Sequence, residues 1–137
     1  MVQIDLVYEG DLRVRAVHGP SKKELITDAP VDNHGKGESF SPTDLVCTAL
    51  GSCMMTIMAI VAERHKINLK ESQVKVVKHM IQEPVRRIGK IEVHFKLPVK
   101  LENREQKMLE RAAMTCPVHE SLHPDIEQDI RFEWSQS

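Results

Sequence analysis

One stretch of the sequence constrains the fold more than any other. Residues 45–62, LVCTALGSCMMTIMAIVA, contain no charged side chain, and this length reaches the lower limit of a membrane-spanning helix. Three hydroxyl side chains interrupt the stretch, and charged residues flank it closely. We therefore expect a helix of a soluble core, buried on nearly all sides. A chain of 137 residues offers little to cover such a helix, so an obligate homodimer is expected.

The segment SPTD marks the start of this helix. Ser41 suits an N-cap, Pro42 suits the first helical position, and Asp44 stands three residues after the cap. Together these residues give a strong helix start. We expect the helix to continue to about His65.

Alternating apolar and polar residues predict strands on both sides of the helix. Before it, an N-terminal meander is expected from three short strands, at residues 2–9, 12–16 and 23–27. After it, the pattern predicts strands at residues 73–81, 88–99 and 129–134. The order of elements predicts an α+β fold with mainly antiparallel sheets, in one domain spanning residues 1–137.

Two further helices are expected between the second and third of those later strands. Asn103 is the expected cap of the first, with Gln106 three residues on. This helix should end near Cys116, because a residue before proline disfavours helical backbone. Pro117 then opens a short helix, which Pro124 stops.

Composition excludes several classes of function. The chain has 19 basic and 20 acidic residues, so no basic field exists to hold nucleic acid. The N-terminal segment is neither a signal peptide nor a transit peptide, and no membrane partner is expected. Three cysteines do not make a secreted disulfide scaffold. We expect a cytoplasmic protein.

Two cysteines are candidates for chemistry. Cys53 lies in the middle of the long helix among apolar residues, where a thiol either packs as a small apolar group or acts as a reagent. Cys116 stands at a break between helices, where N–H groups of the next turn can lower the pKa of its thiol. Cys47 is six residues before Cys53, about 240° around a helix, so we interpret it as a core residue.

A metal site is the alternative interpretation of TCPVHESLH. Cys116, His119 and His123 have a spacing found in zinc sites. Pro124 makes a shared helix face for the two histidines doubtful, and no fourth ligand is evident. We therefore expect no metal and no cofactor.

Two segments, SPTDLVCTALGSCMMTIMAIVAERHKI and AAMTCPVHESL, resemble the OsmC/Ohr family of osmotically induced and organic-hydroperoxide-resistance proteins. The resemblance covers nearly the whole chain, and CPVHESL is more similar to the OsmC-like branch than to the Ohr branch. It implies an OsmC-like fold, with mainly antiparallel sheets wrapped around a long central helix. It also implies an intertwined homodimer with two active sites at its interface.

The resemblance also implies an activity and the roles of two residues. Cys53 matches the peroxidatic cysteine of the family, and Cys116 matches its resolving cysteine. The implied function is a thiol-dependent peroxidase that reduces organic hydroperoxides in oxidative or osmotic stress defence, with an external dithiol as reductant. The alternative is a non-enzymatic OsmC-like dimer that binds a small hydrophobic ligand. A purely structural dimer is a third reading.

The sequence departs from the family at the residues that hold the thiolate. Members use a glutamate directly after the helix-start proline, where this chain has Thr43. Asp44, one residue later, either supports the thiolate or caps the helix. Arg13 and Arg15 are the candidates for the supporting arginine, although both also suit a solvated strand face.

Overall fold

The structure is a computed structural model that describes residues 1–136. They form two compact units, one comprising Met1–Val46 and the other starting at Cys47. The described residues contain six strands and three α-helices, which confirms the α+β class. The single domain expected from the chain length stays a prediction.

The N-terminal unit is built on a three-stranded antiparallel sheet. Strand β1 (Ile4–Gly10) pairs with β2 (Arg13–His18), which pairs in turn with β3 (Glu24–Asp28). A 3-10 turn at Val31–Asn33 follows. The expected meander is thus confirmed, with bounds shifted by one or two residues at most ends.

The apolar side chains of β1 are exposed within the single chain. Leu6 is 63% exposed and its neighbour Val7 is 52% exposed, although the two side chains point to opposite faces of the strand. In this sheet only Ala16 and Asp28 are buried. The sheet therefore has almost no core of its own in the part of the chain that the structure describes.

Helix α1 (Pro42–Arg64) begins where the sequence predicts. The Asp44 N–H donates to Ser41 Oγ at 3.1 Å, and the Ser41 N–H donates to an Asp44 carboxylate oxygen at 2.9 Å. These reciprocal bonds satisfy two backbone donors at the helix start. The boundary between the two units falls within this helix.

Within the single chain, α1 is not buried on nearly all sides. Its buried residues form one stripe at helical spacing, comprising Cys47, Leu50, Gly51, Met54, Met58 and Ala62. Other apolar positions stay accessible, and Ile60 is 43% exposed. One chain covers only one side of α1, and the expected burial on nearly all sides, by both chains of a homodimer, stays a prediction.

On length and composition alone, α1 could also cross a membrane. Only 33% of its most apolar window is buried within this chain. The core helix of a soluble protein passes the same test, so one such helix is weak evidence for a membrane span.

The C-terminal unit contains the second sheet. Strand β4 (Gln73–Ile81) pairs antiparallel with β5 (Arg87–Leu97), and β5 pairs in parallel with β6 (Glu127–Trp134). Alternate residues of the central strand β5 are buried, and Phe95 stacks on Phe132 with ring centroids 4.9 Å apart. Three of the four strand pairings in the described chain are antiparallel, as expected.

Helices α2 (Asn103–Ala113) and α3 (Pro117–Ser121) connect β5 to β6. The N-cap of α2 is Glu102 and not Asn103, because Glu102 and Glu105 form a reciprocal capping box one residue earlier than expected. Leu109, Ala112 and Ala113 of α2 are buried, which places its apolar face in the core.

A glycine sets the distance between α1 and β4. A Cβ atom on Gly51 would lie 2.8 Å from Val76 Cγ2 and 3.4 Å from Val74 Cγ1. The helix therefore lies closer to the strand at this point than a residue with a side chain allows.

Candidate active site

The structure brings Cys53 and Cys116 together. Cys53 is half-buried on α1, and Cys116 is fully buried between α2 and α3. The two thiols lie close enough to interact, and Cys53 adds to the rise that burial causes in the pKa of Cys116. No disulfide links the cysteines of the described chain.

Cys116 is the N-cap of α3. Its extended backbone, with φ −64° and ψ 139°, follows from the proline after it. The backbone N–H of His119 donates to Cys116 Sγ at 3.1 Å. The contact expected from the helix break is present, and the Val118 N–H also acts to lower the pKa of the thiol.

The net effect on the Cys116 pKa is nevertheless opposite to the expectation. Burial disfavours the charged thiolate and raises the pKa of Cys116 above its ordinary value. The N–H groups of α3 offset only part of this rise. The expectation of a lowered pKa at Cys116 is therefore wrong, because a sulfur with 0% exposure loses more hydration than two N–H groups replace.

Cys47 has a different environment. It lies in the buried stripe of α1 and is 4% exposed. Cys53 lies outside that stripe, so the two thiols occupy different faces of α1. Cys47 therefore has the environment of a core cysteine.

Asp44 and Thr43 are engaged at the start of α1. Asp44 forms the reciprocal cap with Ser41, and the Thr43 and Ser41 hydroxyls are hydrogen-bonded at 3.2 Å. Of the two roles expected for Asp44, the structure shows capping. Its role in thiolate support stays a prediction.

Arg13 holds a nearly buried carboxylate. Its Nε and Nη2 atoms donate to the two oxygens of Asp28 at 2.7 and 2.9 Å, and Nη2 also donates to Glu38 at 2.9 Å. Asp28 is 2% exposed, and its hydrogen bond to Arg13 lowers the pKa of its carboxyl despite desolvation. Arg13 therefore has a structural role in the N-terminal unit, and its role in thiolate support stays a prediction.

Arg15 is also paired with carboxylates. It contacts Glu9 at 3.3 Å and Glu24 at 3.1 Å, and the side chains of all three residues are about one-third exposed or more. Exposed pairs of this kind contribute little stability. Each candidate arginine thus has two acidic partners inside its own unit.

The alternative zinc site at Cys116, His119 and His123 is not assembled. The His119 ring is hydrogen-bonded to Gln128, and His123 lies beyond the end of α3, beside Asp125. The two histidines therefore do not share a helix face.

A different group of possible metal ligands is assembled on the second sheet. Among the described residues, Glu92, His94 and Asp129 have ligand atoms within 4.8 Å of one another. Glu92 and His94 alternate on one strand, which the sequence shows, but Asp129 joins them only through the parallel pairing of β6 with β5. Sequence reasoning missed this group because nothing in the sequence gives that pairing.

Solved structures show the same fold. A protein of Psychrobacter arcticus, proposed to be an osmotic stress induced and detoxification response protein, is 44% identical, with a TM-score of 0.92 over 97% of this chain and 96% of that chain. An organic hydroperoxide resistance protein of Legionella pneumophila is 13% identical, with a TM-score of 0.77 over 97% and 96%. A Vibrio cholerae protein proposed to act in organic hydroperoxide resistance, with captopril bound in one of its active sites, is 16% identical, with a TM-score of 0.75 over 96% and 90%.

Sequence comparison gives the family. A comparison with curated proteins finds no match. The model of the family described as OsmC-like protein matches residues 35–131, which include α1, both thiols of the site and most of the second sheet. The chain therefore belongs to the OsmC-like protein family.

Proposed function

We propose that the protein is a thiol-dependent peroxidase that reduces organic hydroperoxides with Cys53 and Cys116. The observation that carries the proposal is the contact between these two thiols, which come from α1 and from the start of α3. Two thiols in contact can interconvert with a disulfide without a large movement. The 44% identity to a protein proposed to act in osmotic stress and detoxification supports a role in stress defence.

Cys53 is the residue that attacks the peroxide in this proposal. Its thiolate forms a bond to the terminal oxygen of the hydroperoxide and breaks the O–O bond. The sulfur becomes a sulfenic acid, and the peroxide leaves as an alcohol after taking up one proton. Cys53 suits this role because it is the more accessible of the two thiols.

Cys116 resolves the sulfenic acid. Its sulfur attacks the Cys53 sulfur, a disulfide forms, and the hydroxyl leaves as water. The raised pKa of Cys116 supports this order, because a thiol that keeps its proton is a poor first nucleophile. An external dithiol then reduces the disulfide and is itself oxidised to a disulfide.

The setting of the reaction is part of the same proposal. Three cysteines that do not make a secreted disulfide scaffold suit the cytoplasm. A homodimer would cover the exposed apolar residues of α1 and β1. The apolar residues beside Cys53 on α1, such as Ala49 and Ile57, favour bulky organic peroxides over hydrogen peroxide.

A cation that supports the Cys53 thiolate completes the proposal, with Arg13 and Arg15 as candidates from the same or the partner chain. Replacing either with methionine should slow the reaction of Cys53 with iodoacetamide, because the cation that favours its thiolate is lost. Asp28→Asn is the control for Arg13→Met, because it removes the same ion pair and keeps the arginine charge. If Cys53 reacts as fast in both methionine variants as in wild type, neither arginine supports the thiolate.

The decisive experiment compares dithiol-dependent consumption of cumene hydroperoxide and hydrogen peroxide. Wild type should consume cumene hydroperoxide faster than hydrogen peroxide. Its turnover should nevertheless be slow, because Thr43 lacks a carboxylate. Cys53→Ser should be inactive, and Cys116→Ser should stop after one oxidation per site because the sulfenic acid has no partner. Cys47→Ser is the matched control and should keep its turnover. If wild type is no faster than Cys53→Ser, the peroxidase proposal is wrong.

One observation favours the alternative of a hydrophobic-ligand carrier. An open groove of about 580 Å³ runs beside the second half of α1. Four of its ten lining residues are apolar, namely Met55, Ala59, Ile67 and Leu69, and the other six are polar or charged. Its volume is within the range of small-molecule sites. Saturable binding of an apolar dye by a protein with no peroxidase activity would establish this alternative.

A further inference from the structure

The strand β5 carries a polar face that the peroxidase chemistry does not use. Ile91, Val93 and Phe95 point into the core and are 0–2% exposed, and Glu92 and His94 alternate with them. Asp129 of β6 is paired with Glu92 in the parallel register. Directly paired residues lie on the same face of a sheet, so the three side chains are neighbours.

The ligand atoms of these three residues converge. One atom from each residue lies within 4.8 Å of the others, and all three residues are half-buried. His94 Nε2 is buried and has no hydrogen-bond partner, and Glu92 Oε1 is 3.8 Å away, beyond hydrogen-bonding distance. A buried nitrogen without a partner is uncommon in proteins and calls for an unseen partner such as an ion.

The charges of the group suit a cation. Glu92 and Asp129 contribute two carboxylates to the group, beside the one imidazole of His94. Two basic residues close to the group, Lys90 and Arg131, repel a cation at this position. Lys90 is already paired with Glu127 at 3.4 Å, and Arg131 is 67% exposed.

We propose that Glu92, His94 and Asp129 bind a divalent transition-metal ion such as Zn²⁺. One imidazole and two carboxylates are a ligand set suited to this class of ion. Tetrahedral bonds of about 2.1 Å place ligand atoms about 3.4 Å apart, so ligand atoms that lie within 4.8 Å of one another need to approach by at most about 1.4 Å. His79 lies beside the group, and its Nε2 is hydrogen-bonded to Glu92 Oε2 at 2.5 Å.

Arg131 gives the proposal a second, independent consequence. Its guanidinium donates to both oxygens of Asp129 at 3.1 Å. A metal ion has to share these oxygens with Arg131 or displace it. Removing Arg131 should therefore tighten metal binding, whereas removing a ligand should weaken it.

Titration calorimetry with Zn²⁺ on the full chain tests the proposal. Wild type should bind one Zn²⁺ per chain at this site. His94→Ala and Glu92→Gln should each weaken that binding by about tenfold or more, and Arg131→Gln should strengthen it. His65→Ala is the matched control, because it removes an exposed histidine outside the group, and it should bind as wild type does.

The cysteine pair is the competing Zn²⁺ ligand, so the titration is repeated on Cys53→Ser. Binding that survives in Cys53→Ser and is weakened by His94→Ala supports the proposal. Binding that is lost in Cys53→Ser, or is unchanged in both His94→Ala and Glu92→Gln, overturns it, as does a wild type that binds no Zn²⁺. Glu92→Gln keeps the side-chain shape, so it decides the result if His94→Ala does not fold.

Discussion

At Cys116, burial and the N–H groups of α3 act on one sulfur in opposite directions. The N–H contact was predictable from the sequence, because a cysteine before proline at a helix break has few other conformations. The extent to which the sulfur is buried was not predictable from the sequence, because it depends on how α1 and the second sheet pack around it. Since burial is the larger effect, Cys116 is a protonated thiol at neutral pH.

We expect the second step of the reaction to accelerate with pH. With Cys53 fully oxidised by excess peroxide, the rate of disulfide formation should rise about tenfold per pH unit at neutral pH, because it follows the thiolate fraction of Cys116. Stopped-flow measurement between about pH 6 and about pH 9 covers the range of ordinary thiols. A rate that is flat across this range would show that the thiolate of Cys116 is already formed.

The same raised pKa affects stability. The folded state favours the neutral thiol, so the contribution of Cys116 to the free energy of unfolding is complete below the ordinary thiol pKa of about 8.5. It is lost as the pH rises through the raised folded-state value. Denaturant unfolding of the reduced protein should therefore show a decline in alkaline solution, and Cys116→Ser should reduce that decline.

At the scale of elements, local signals were predicted well and long-range pairings were not. Ser41, Pro42 and Asp44 fix the start of α1 through contacts within four residues. The start of α2 was misplaced by one residue, because Asn103 and Glu102 are both plausible caps and only the bond to Glu105 decides between them. The parallel pairing of β6 has no local signal, and with it the assembly of Asp129 beside Glu92 was unpredictable.

The contact between α1 and β4 leads to a prediction about Gly51. Gly51→Ala should gain about 1 kcal/mol of helix propensity, but the new Cβ would lie 2.8 Å from a stiff valine side chain. Overpacking of this kind costs about 1–3 kcal/mol. We expect a net destabilisation of about 1 kcal/mol in denaturant unfolding.

Ser52→Ala is the control for Gly51→Ala, because Ser52 is the next residue of the same helix and is exposed. It should be neutral or slightly stabilising. If Gly51→Ala and Ser52→Ala raised the free energy of unfolding equally, α1 and β4 would separate easily at this point.

At the scale of the whole molecule, the single chain leaves too much apolar surface uncovered. The exposed side chains include those of β1 on both strand faces and Ile60 of α1. A three-stranded sheet without a covered face has little stability of its own. These observations support the proposed homodimer, which the family resemblance also implies.

We expect analytical ultracentrifugation at micromolar concentration to show a dimer and no folded monomer. Ile60→Glu should weaken the dimer, because it places a charge on an apolar, accessible position of α1. Lys107→Glu, on the exposed side of α2, should leave it intact. A compact, folded wild-type monomer would remove both the dimer and the proposed interface site.

The central position of β5 determines which genetic changes the protein can accept. It is hydrogen-bonded to β4 on one edge and β6 on the other, and its buried and polar residues alternate without interruption from Ile91 to Leu97. An in-frame deletion of the codon for His94 would shift one half of the strand by a single residue and exchange its two faces. We expect that deletion to abolish soluble expression, and we expect the substitution His94→Ala to leave the protein soluble. Deletion of the codon for the exposed residue Lys100, outside any strand, should yield soluble protein.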